Sequence, residues 1–322
     1  MEEAPNPLET PISFNDNNIS SLKTCKLVKY HESPINNISI SKDGTLYLSS
    51  GNDNKILIYS IQNNDTIREL VNNKYGCDKA IFTHNTKAIL CASKSDYRIM
   101  YWCTHHNQIL FSFLGHSDVI TDLSINPYND LFISTSNDKT SRLWDLNEKK
   151  CLYIFQDSQC AVFDTSGKVL ASVTYTMNKE TEVYENFINL YNVIELQENK
   201  NDKPFDVFSI KANGYIKQMK FTYDEKYLIA IIDNYLFIID ALEGKIIHKI
   251  EINDEINTFD VTTDSKYIAL ACASGNIIIY SIEGKLIKTF EFHIKNCECV
   301  VFNPKYAIMA SADNNLVFWI PE

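Results

Sequence analysis

Seven segments of this 322-residue chain repeat one pattern, and the repeat constrains the fold more than any other feature. In each, an apolar–polar alternation leads into a turn containing Asp, Asn or Gly. A run of small and apolar residues follows, then a short polar turn. A third apolar run ends in an aromatic residue or Ile. These ends fall at Tyr59, Trp102, Trp144, Tyr191, Ile239, Tyr280 and Trp319, in steps of 43, 42, 47, 48, 41 and 39 residues. Alternation with a period of two marks a half-buried strand. Several short strands per unit at a spacing of about 40–45 residues mark a β-propeller. All three Trp of the chain share this register. The expected fold is all-β, a seven-bladed β-propeller.

The third unit is the clearest. From Gly115 to Leu146 it reads GHSDVITDLSINPYNDLFISTSNDKTSRLWDL, a complete WD repeat with GH at the start, Asp in the tight turn and WD at the strand end. The spacing predicts a buried chain from the Trp144 indole N–H to the Ser134 hydroxyl, on to His116 and then Asp138. Each group supplies the donor or acceptor that the next one lacks. On paper the chain has the look of a catalytic relay; read structurally, it is a satisfied network that locks a blade. The other units are degraded, with Tyr59 in place of Trp in the first and an insertion, MNKETEVYEN, in the fourth. The turns SKDGT, DTSGK, TYDEK, TTDSK and NPKYA are expected on one face, and GNDNK, KSDYR, SNDKT, ASGN and ADNN on the opposite one. With 33 Asn but only 9 Gly, Asn is expected to fill turn positions that need a left-handed backbone.

Three residues follow Trp319, so the seventh unit lacks a fourth strand at that end. The segment ISSLKTCKLVKYHE, Ile19 to Glu32, alternates and precedes the first unit. Residues 19–31 are expected to supply the missing outer strand and close the ring, which removes an exposed edge. Residues 1–16 have no periodicity and read as a disordered tail, leaving 17–322 as the propeller. The stretch QENKNDKPFD, 197–206, reads as a long loop.

A net charge of −11 and a pI near 5.2 give a surface that repels a phosphate backbone, so direct nucleic-acid binding is not expected. No apolar run approaches the ~18–20 residues of a membrane span. The N-terminal MEEAPNPLETPISF has acids and prolines where a signal peptide needs a basic and then an apolar stretch. A soluble intracellular protein without membrane contact is the expectation. Nine cysteines, an odd number, suit reduced and mostly buried thiols better than a disulfide framework. No P-loop, GxSxG, HExxH or GxGxxG occurs. His105 and His106 beside Cys103 fall in a strand-to-strand turn. Cys297 and Cys299 share one strand face, and zinc would need two further ligands. Neither a metal nor a cofactor is expected, and no enzyme activity. A propeller of this kind binds through its loops.

Further motifs narrow the kind. The only WD is followed by Leu146-Asn147, and no unit has the WDxR arginine usual in ubiquitin-ligase substrate receptors. Pro5, Pro7 and Pro11 and the lack of heptads separate the N-terminus from the coiled coil of a G-protein β subunit. The run Lys74-Tyr75-Gly76-Cys77-Asp78, followed by Thr83-His84 and Ser93-Lys94, resembles the second blade of one WD-repeat family. So do SNDKT at 136–140 before RLWDL, the segment IIDALEGKIIH, and the ending FNPKYAIMASADNNLVFWIPE. That family is the WD-repeat subunit shared by COMPASS-type histone H3 lysine methyltransferase complexes and by RNA polymerase II termination and 3′-end processing complexes. The resemblance runs from about Ile19 to Pro321. The blade-four insertion, the acidic N-terminal tail and several lost glycines depart from it.

The resemblance implies a nuclear, non-catalytic scaffold. It would dock short segments of a SET-domain histone methyltransferase and, separately, of a protein-phosphatase-1 targeting subunit or of cleavage-factor subunits. It also implies a link to the phosphorylated C-terminal repeat of RNA polymerase II. Docking is expected on the face that carries the His116 loop and the SNDKT-type turns. The candidate contacts are Lys74, Tyr75, Lys94, Arg98, Asp118 and Lys139. The competing reading is a stand-alone reader of histone tails or phosphopeptides.

Overall fold

The computed structural model describes residues 14–177, 183–198, 200–294 and 296–322. They form seven four-stranded antiparallel sheets, the seven blades of a β-propeller. Within a blade, the strand sequences follow their burial. The second strand is enclosed on both faces, so Leu131–Ser136 (LFISTS) and Tyr267–Cys272 (YIALAC) are buried throughout and made of small and apolar residues. The outermost strand keeps one face in solvent, so Asp65–Val71 (DTIRELV) alternates. First strands carry a bulge at a shared place, between Ile35 and Asn37, Ile120 and Asp122, and Ile256 and Thr258. A bulge increases local twist.

The turns between first and second strands follow one recipe. In SKDGT, TYDEK and TTDSK the first hydroxyl donates to the carboxylate two residues on: Ser41 to Asp43 at 2.5 Å, Thr222 to Asp224 at 2.7 Å, Thr262 to Asp264 at 2.6 Å. The same hydroxyl accepts the N–H that opens the next strand, from Leu46, Tyr227 and Tyr267. A Ser/Thr-x-Asp turn thus satisfies its own backbone locally. Left-handed positions are held by Asn54, Asn64 and Asn107, but also by Lys139, Lys149 and Glu225. Asn therefore takes only part of the role that the composition assigns to it.

The chain divides into two compact units. The first comprises Met1–Ser95, Trp102–Leu110 and Asp254–Glu322; the second, Asp96–Tyr101 and Phe111–Asn253. In the first unit the closing sheet runs Lys23–Val28, Leu316–Ile320, Met309–Ala312, Cys299–Phe302. The outer strand pairs Lys23 with Ile320, Thr24 with Trp319 and Val28 with Leu316. It covers 23–28 rather than 19–31. Asp16–Ser20 is instead a short helix capped by Asn15, whose side chain accepts from the N–H groups of Asn17 and Asn18. Phe14 is buried, edge-on to Phe302 at 5.3 Å, and the Tyr267 hydroxyl donates to Asp16 at 2.5 Å. Phe14 to Asp16 thus belong to the packed structure, which corrects the expected tail boundary at 16; residues 1–13 lie outside the described residues.

In the second unit, blade four is longer than the rest. Val169–Met177 and Tyr184–Asn192, nine residues each, pair along their whole length. The tip of the insertion, 178–182, lies outside the described residues. A helix, Val193–Gln197, follows, with the Asn192 side chain accepting from the N–H groups of Ile194 and Glu195. The loop read from 197 therefore begins only after this helix. Among the described residues no helix is long and apolar enough to cross a membrane, and all nine cysteines are free thiols.

Candidate functional site

Trp144, Ser134, His116 and Asp138 stand in one hydrogen-bonded chain. The Trp144 indole N–H donates to Ser134 Oγ at 2.8 Å, His116 Nε2 lies 2.7 Å from the same oxygen, and His116 Nδ1 lies 2.8 Å from Asp138 Oδ2. Asp138 also accepts from the Thr140 hydroxyl and from the Ser117 N–H. The His116 and Asp138 side chains are 1% and 5% exposed, so no substrate reaches the imidazole. This geometry fixes a loop to a blade and offers no relay to a reacting group.

Two more networks of the same kind escaped the sequence reading. In blade one, His31 Nδ1 lies 3.1 Å from Asp53 and Nε2 lies 2.9 Å from Ser49 Oγ, with Tyr59 where Trp144 stands in blade three. In blade seven, the Trp319 N–H donates to Ser311 Oγ at 2.8 Å, which also lies 2.8 Å from His293 Nε2; His293 Nδ1 is 3.3 Å from Asp313 but makes no hydrogen bond, so this network is complete only as far as the imidazole. The signal was present, since His precedes Ser by 18 residues in all three. Blade two lacks it. Ala92 sits ten residues before Trp102, where Ser134 sits before Trp144, and the buried Trp102 N–H has no hydrogen-bond partner.

Burial pushes His31, His116 and His293 below the ordinary 6.5, outweighing the pull of the neighbouring carboxylates. Burial alone would raise Asp138, but hydrogen bonds from Thr140, His116 and the Ser117 N–H carry it below 3.8. A histidine lowered in the folded state takes up its proton first in the unfolded chain. Its contribution to stability is complete above about pH 6.5 and is lost as pH falls through that value. Denaturant midpoints measured from pH 8 to pH 5 should therefore be level down to about 7 and then decline. A midpoint unchanged at pH 5 would contradict this account.

The candidate contacts differ in what they have to spare. In unit one, Lys74 is exposed and its ammonium lies 4.7 Å from the centre of the half-buried Tyr75 ring. The Tyr75 carbonyl accepts from the Ser93 hydroxyl and from the N–H groups of Lys94 and Ser95, which fixes the loop. Gly76 has φ +72°, and a Cβ there would come within 3.0 Å of the Lys94 Cβ, so both backbone and space call for glycine. Lys94 is engaged, donating to Asn52 Oδ1 at 2.8 Å and to the Gly51 carbonyl at 3.3 Å. In unit two, Arg98 Nε donates to Asp96 Oδ2 at 2.6 Å, so its fork is already turned on a carboxylate. Asp118 accepts from the Val119 N–H at 2.7 Å. Lys139 is exposed, in a left-handed turn at φ +64°.

The other sequence candidates lie apart from any such loop. His105 and His106 pack edge to face at 4.7 Å, and His105 Nδ1 is 3.0 Å from Arg68. Cys297 and Cys299 are buried, and burial pushes both thiols up, Cys299 to about 11. No cluster of three potential metal ligands occurs among the described residues.

Residues 21–60 and 107–145 match the family described as WD domain, G-beta repeat. The chain is similar to WD repeat-containing protein 82 of Drosophila melanogaster, 29% identical, with 96% of this chain and 98% of that one covered. It is 31% identical to COMPASS component SWD2 of Saccharomyces cerevisiae, covering 73% of this chain and 71% of that one. Set1 complex component swd2 of Schizosaccharomyces pombe is 29% identical over 73% of this chain and 65% of its own. Among solved structures, the β-propeller domain of Myceliophteria thermophila Cps50 (Swd1) superposes with a TM-score of 0.77 at 14% identity, covering 94% of this chain and 100% of that one. Relatives of this identity and coverage show that the chain belongs to the family of WD-repeat proteins that includes COMPASS component SWD2 and WD repeat-containing protein 82.

Proposed function

We propose that the protein is a non-catalytic scaffold subunit of a COMPASS-like histone H3 lysine methyltransferase complex in the nucleus. The observation that carries this reading is the likeness to two COMPASS or Set1 complex components, each over 73% of the chain. The geometry is in keeping with it. The histidine networks are spent on holding loops to the blades, and the exposed loop side chains are left for binding. A second role, in RNA polymerase II termination and 3′-end processing, rests on the resemblance of the KYG run and the chain ending. Its partners there would be a phosphatase-1 targeting subunit, cleavage-factor subunits or the phosphorylated polymerase repeat.

Lys74 and Tyr75 are the proposed contacts in unit one. The Tyr ring supplies a stacking anchor and the ammonium a charge clamp. Lys94 holds the loop rather than reaching a partner. Arg98, Asp118 and Lys139 are proposed as separate contacts in unit two. Affinity purification of the tagged protein followed by mass spectrometry should recover a SET-domain methyltransferase. Recovery of termination factors alone would move the protein to the second role, and recovery of neither would overturn both. Lys74→Glu with Tyr75→Ala should lower partner recovery at least ~tenfold, about 1.4 kcal/mol, without altering the melting temperature. Wild-type recovery by that double variant would place docking elsewhere.

A further inference from the structure

We propose that the tyrosine-lined face of the blade-four hairpin binds an arginine-bearing peptide segment, with the guanidinium seated on exposed ring faces beside the Asp233 carboxylate. The hairpin pairs Val169–Met177 with Tyr184–Asn192 and lies within unit two. It is built from the insertion that departs from the family resemblance. It shares no residue with the Lys74–Tyr75 loop and does not depend on the proposed complex.

Strand alternation places these side chains. Ala171, Val173, Ile188 and Leu190 belong to the core of unit two. Residues two apart share a face, so Tyr175, Met177 and Tyr184 carry that face on beyond the core. Met177 stands opposite Tyr184 in the pairing. Tyr215 joins them from the turn into the next blade. Its ring stacks on Tyr175 at 5.7 Å with 20° between the planes, and Tyr184 lies 5.5 Å from Tyr175 and 6.5 Å from Tyr215. The turn is fixed by the buried Asn186, whose amide donates to the Gly214 carbonyl at 3.0 Å and whose Oδ1 accepts the Ile216 N–H at 3.0 Å. A Cβ on Gly214 would run into the Asp233 carboxylate, so that carboxylate lies against the residue next to Tyr215. On this frame Tyr215 is 39% and Met177 45% exposed. An aromatic and sulfur-lined patch held rigidly in water has the composition of a binding anchor.

Three independent observations select a cation. The face of a tyrosine ring is negative and attracts one. Elsewhere on this chain such faces already hold ammonium groups, with Lys249 4.4 Å from the centre of Tyr235 and Lys26 5.1 Å from that of Tyr59. Among the described residues no cation lies over Tyr175, Tyr184 or Tyr215. Asp233 is the second observation. Its nearest ammonium, on Lys217, is 3.9 Å away, beyond hydrogen-bond length, so its oxygens keep acceptor capacity for a guest. The third is the field. The insertion MNKETEVYEN carries three Glu against one Lys, on a chain of net charge −11, which draws in a basic segment and repels an acidic one. Arginine fits better than lysine because a planar guanidinium can stack on a ring and fork onto a carboxylate in one pose.

The test titrates the full chain with the fluorescein-labelled peptide Gly-Ser-Arg-Ala-Arg-Ser-Gly and with Gly-Ser-Leu-Ala-Leu-Ser-Gly, read by anisotropy. The arginine peptide should saturate and the leucine peptide should not. Tyr215→Leu keeps the charge and most of the bulk but removes the ring face, and should weaken binding at least ~fivefold. Tyr215→Trp offers a better cation-binding face and should bind at least as tightly as wild type. Asp233→Asn keeps the shape and suits the left-handed backbone there, φ +51°, and should weaken binding at least ~threefold. Circular dichroism and melting confirm that each variant folds. The proposal is overturned by no saturation up to ~1 mM, by equal binding of the leucine peptide, or by a folded Tyr215→Leu variant that binds as wild type, which would leave net charge alone as the cause. A concentration-dependent dimer that Tyr215→Leu abolishes and the arginine peptide does not displace would make the occupant a second copy of the chain and overturn it as well.

Discussion

Deletion of residues 1–30 should leave Leu316–Ile320 without its outer neighbour and make the protein aggregate. The truncation removes Phe14, Ile19, Leu22 and Val28, all buried. At ~1.5–3 kcal/mol for each buried side chain, the loss is about 6–12 kcal/mol, comparable to the whole stability of a typical domain. It also bares the backbone of a long apolar strand, LVFWI, as a template for pairing between molecules. Phe14→Ala alone should cost about 3 kcal/mol, because it removes one ring from the core and leaves the ladder intact. Size-exclusion chromatography and thermal melting test both. A soluble truncated protein with an unchanged melting temperature would contradict the closing role of Lys23–Val28.

His116→Ala and Trp144→Ala should each cost ~2–4 kcal/mol. Trp144 stacks on Phe132 at 6.1 Å and meets Phe113 edge-on at 5.5 Å, so truncation opens a cavity. It also leaves the buried Ser134 hydroxyl without the indole donor. Removing His116 leaves Asp138 buried without its ring partner. A comparison of Trp→Phe changes separates packing from hydrogen bonding. Trp144→Phe loses a made hydrogen bond, whereas Trp102→Phe removes a buried N–H that has none. The first should be the more destabilising by ~1–3 kcal/mol in chemical denaturation. Equal costs would mean that the bond contributes nothing, and a normally melting His116→Ala variant that lost partner binding would make the network functional.

The blade count, the third-strand register and the closure from the N-terminal side were all legible, because each is written as a period in the chain. The blade-three network was legible through its complete GH, Asp and WD spacing. The networks at His31 and His293 were not. One has Tyr59 in place of Trp, and in the other a shorter turn brings Asp313 to 20 residues after His293, against 22 from His116 to Asp138. The helix Val193–Gln197 has only five residues, too few for a periodic signal, though Asn192 was readable as a cap. Phe14 was lost among prolines and acids because a single anchoring ring leaves no pattern. At the candidate contacts, Arg98 has its carboxylate two positions away in the sequence, whereas the Lys94 bond to Asn52 spans 42 residues and exists only through folding.

The pairing of Lys23–Val28 with Leu316–Ile320 also sets an order of events during synthesis. Lys23–Val28 is made nearly 290 residues before the strand it pairs with. At ~5–20 residues per second, the ribosome takes about 15–60 s to cover that distance. Throughout, the early strand has no partner, while the intervening blades can form from local hairpins as they emerge. Its Lys23 and Lys26, with Lys29 just beyond it, are the kind of charges that keep a waiting strand from pairing with neighbouring chains. Closure is then a single late event of high contact order, and slow translation of Leu316–Ile320 would lengthen the interval in which Lys23–Val28 waits unpaired.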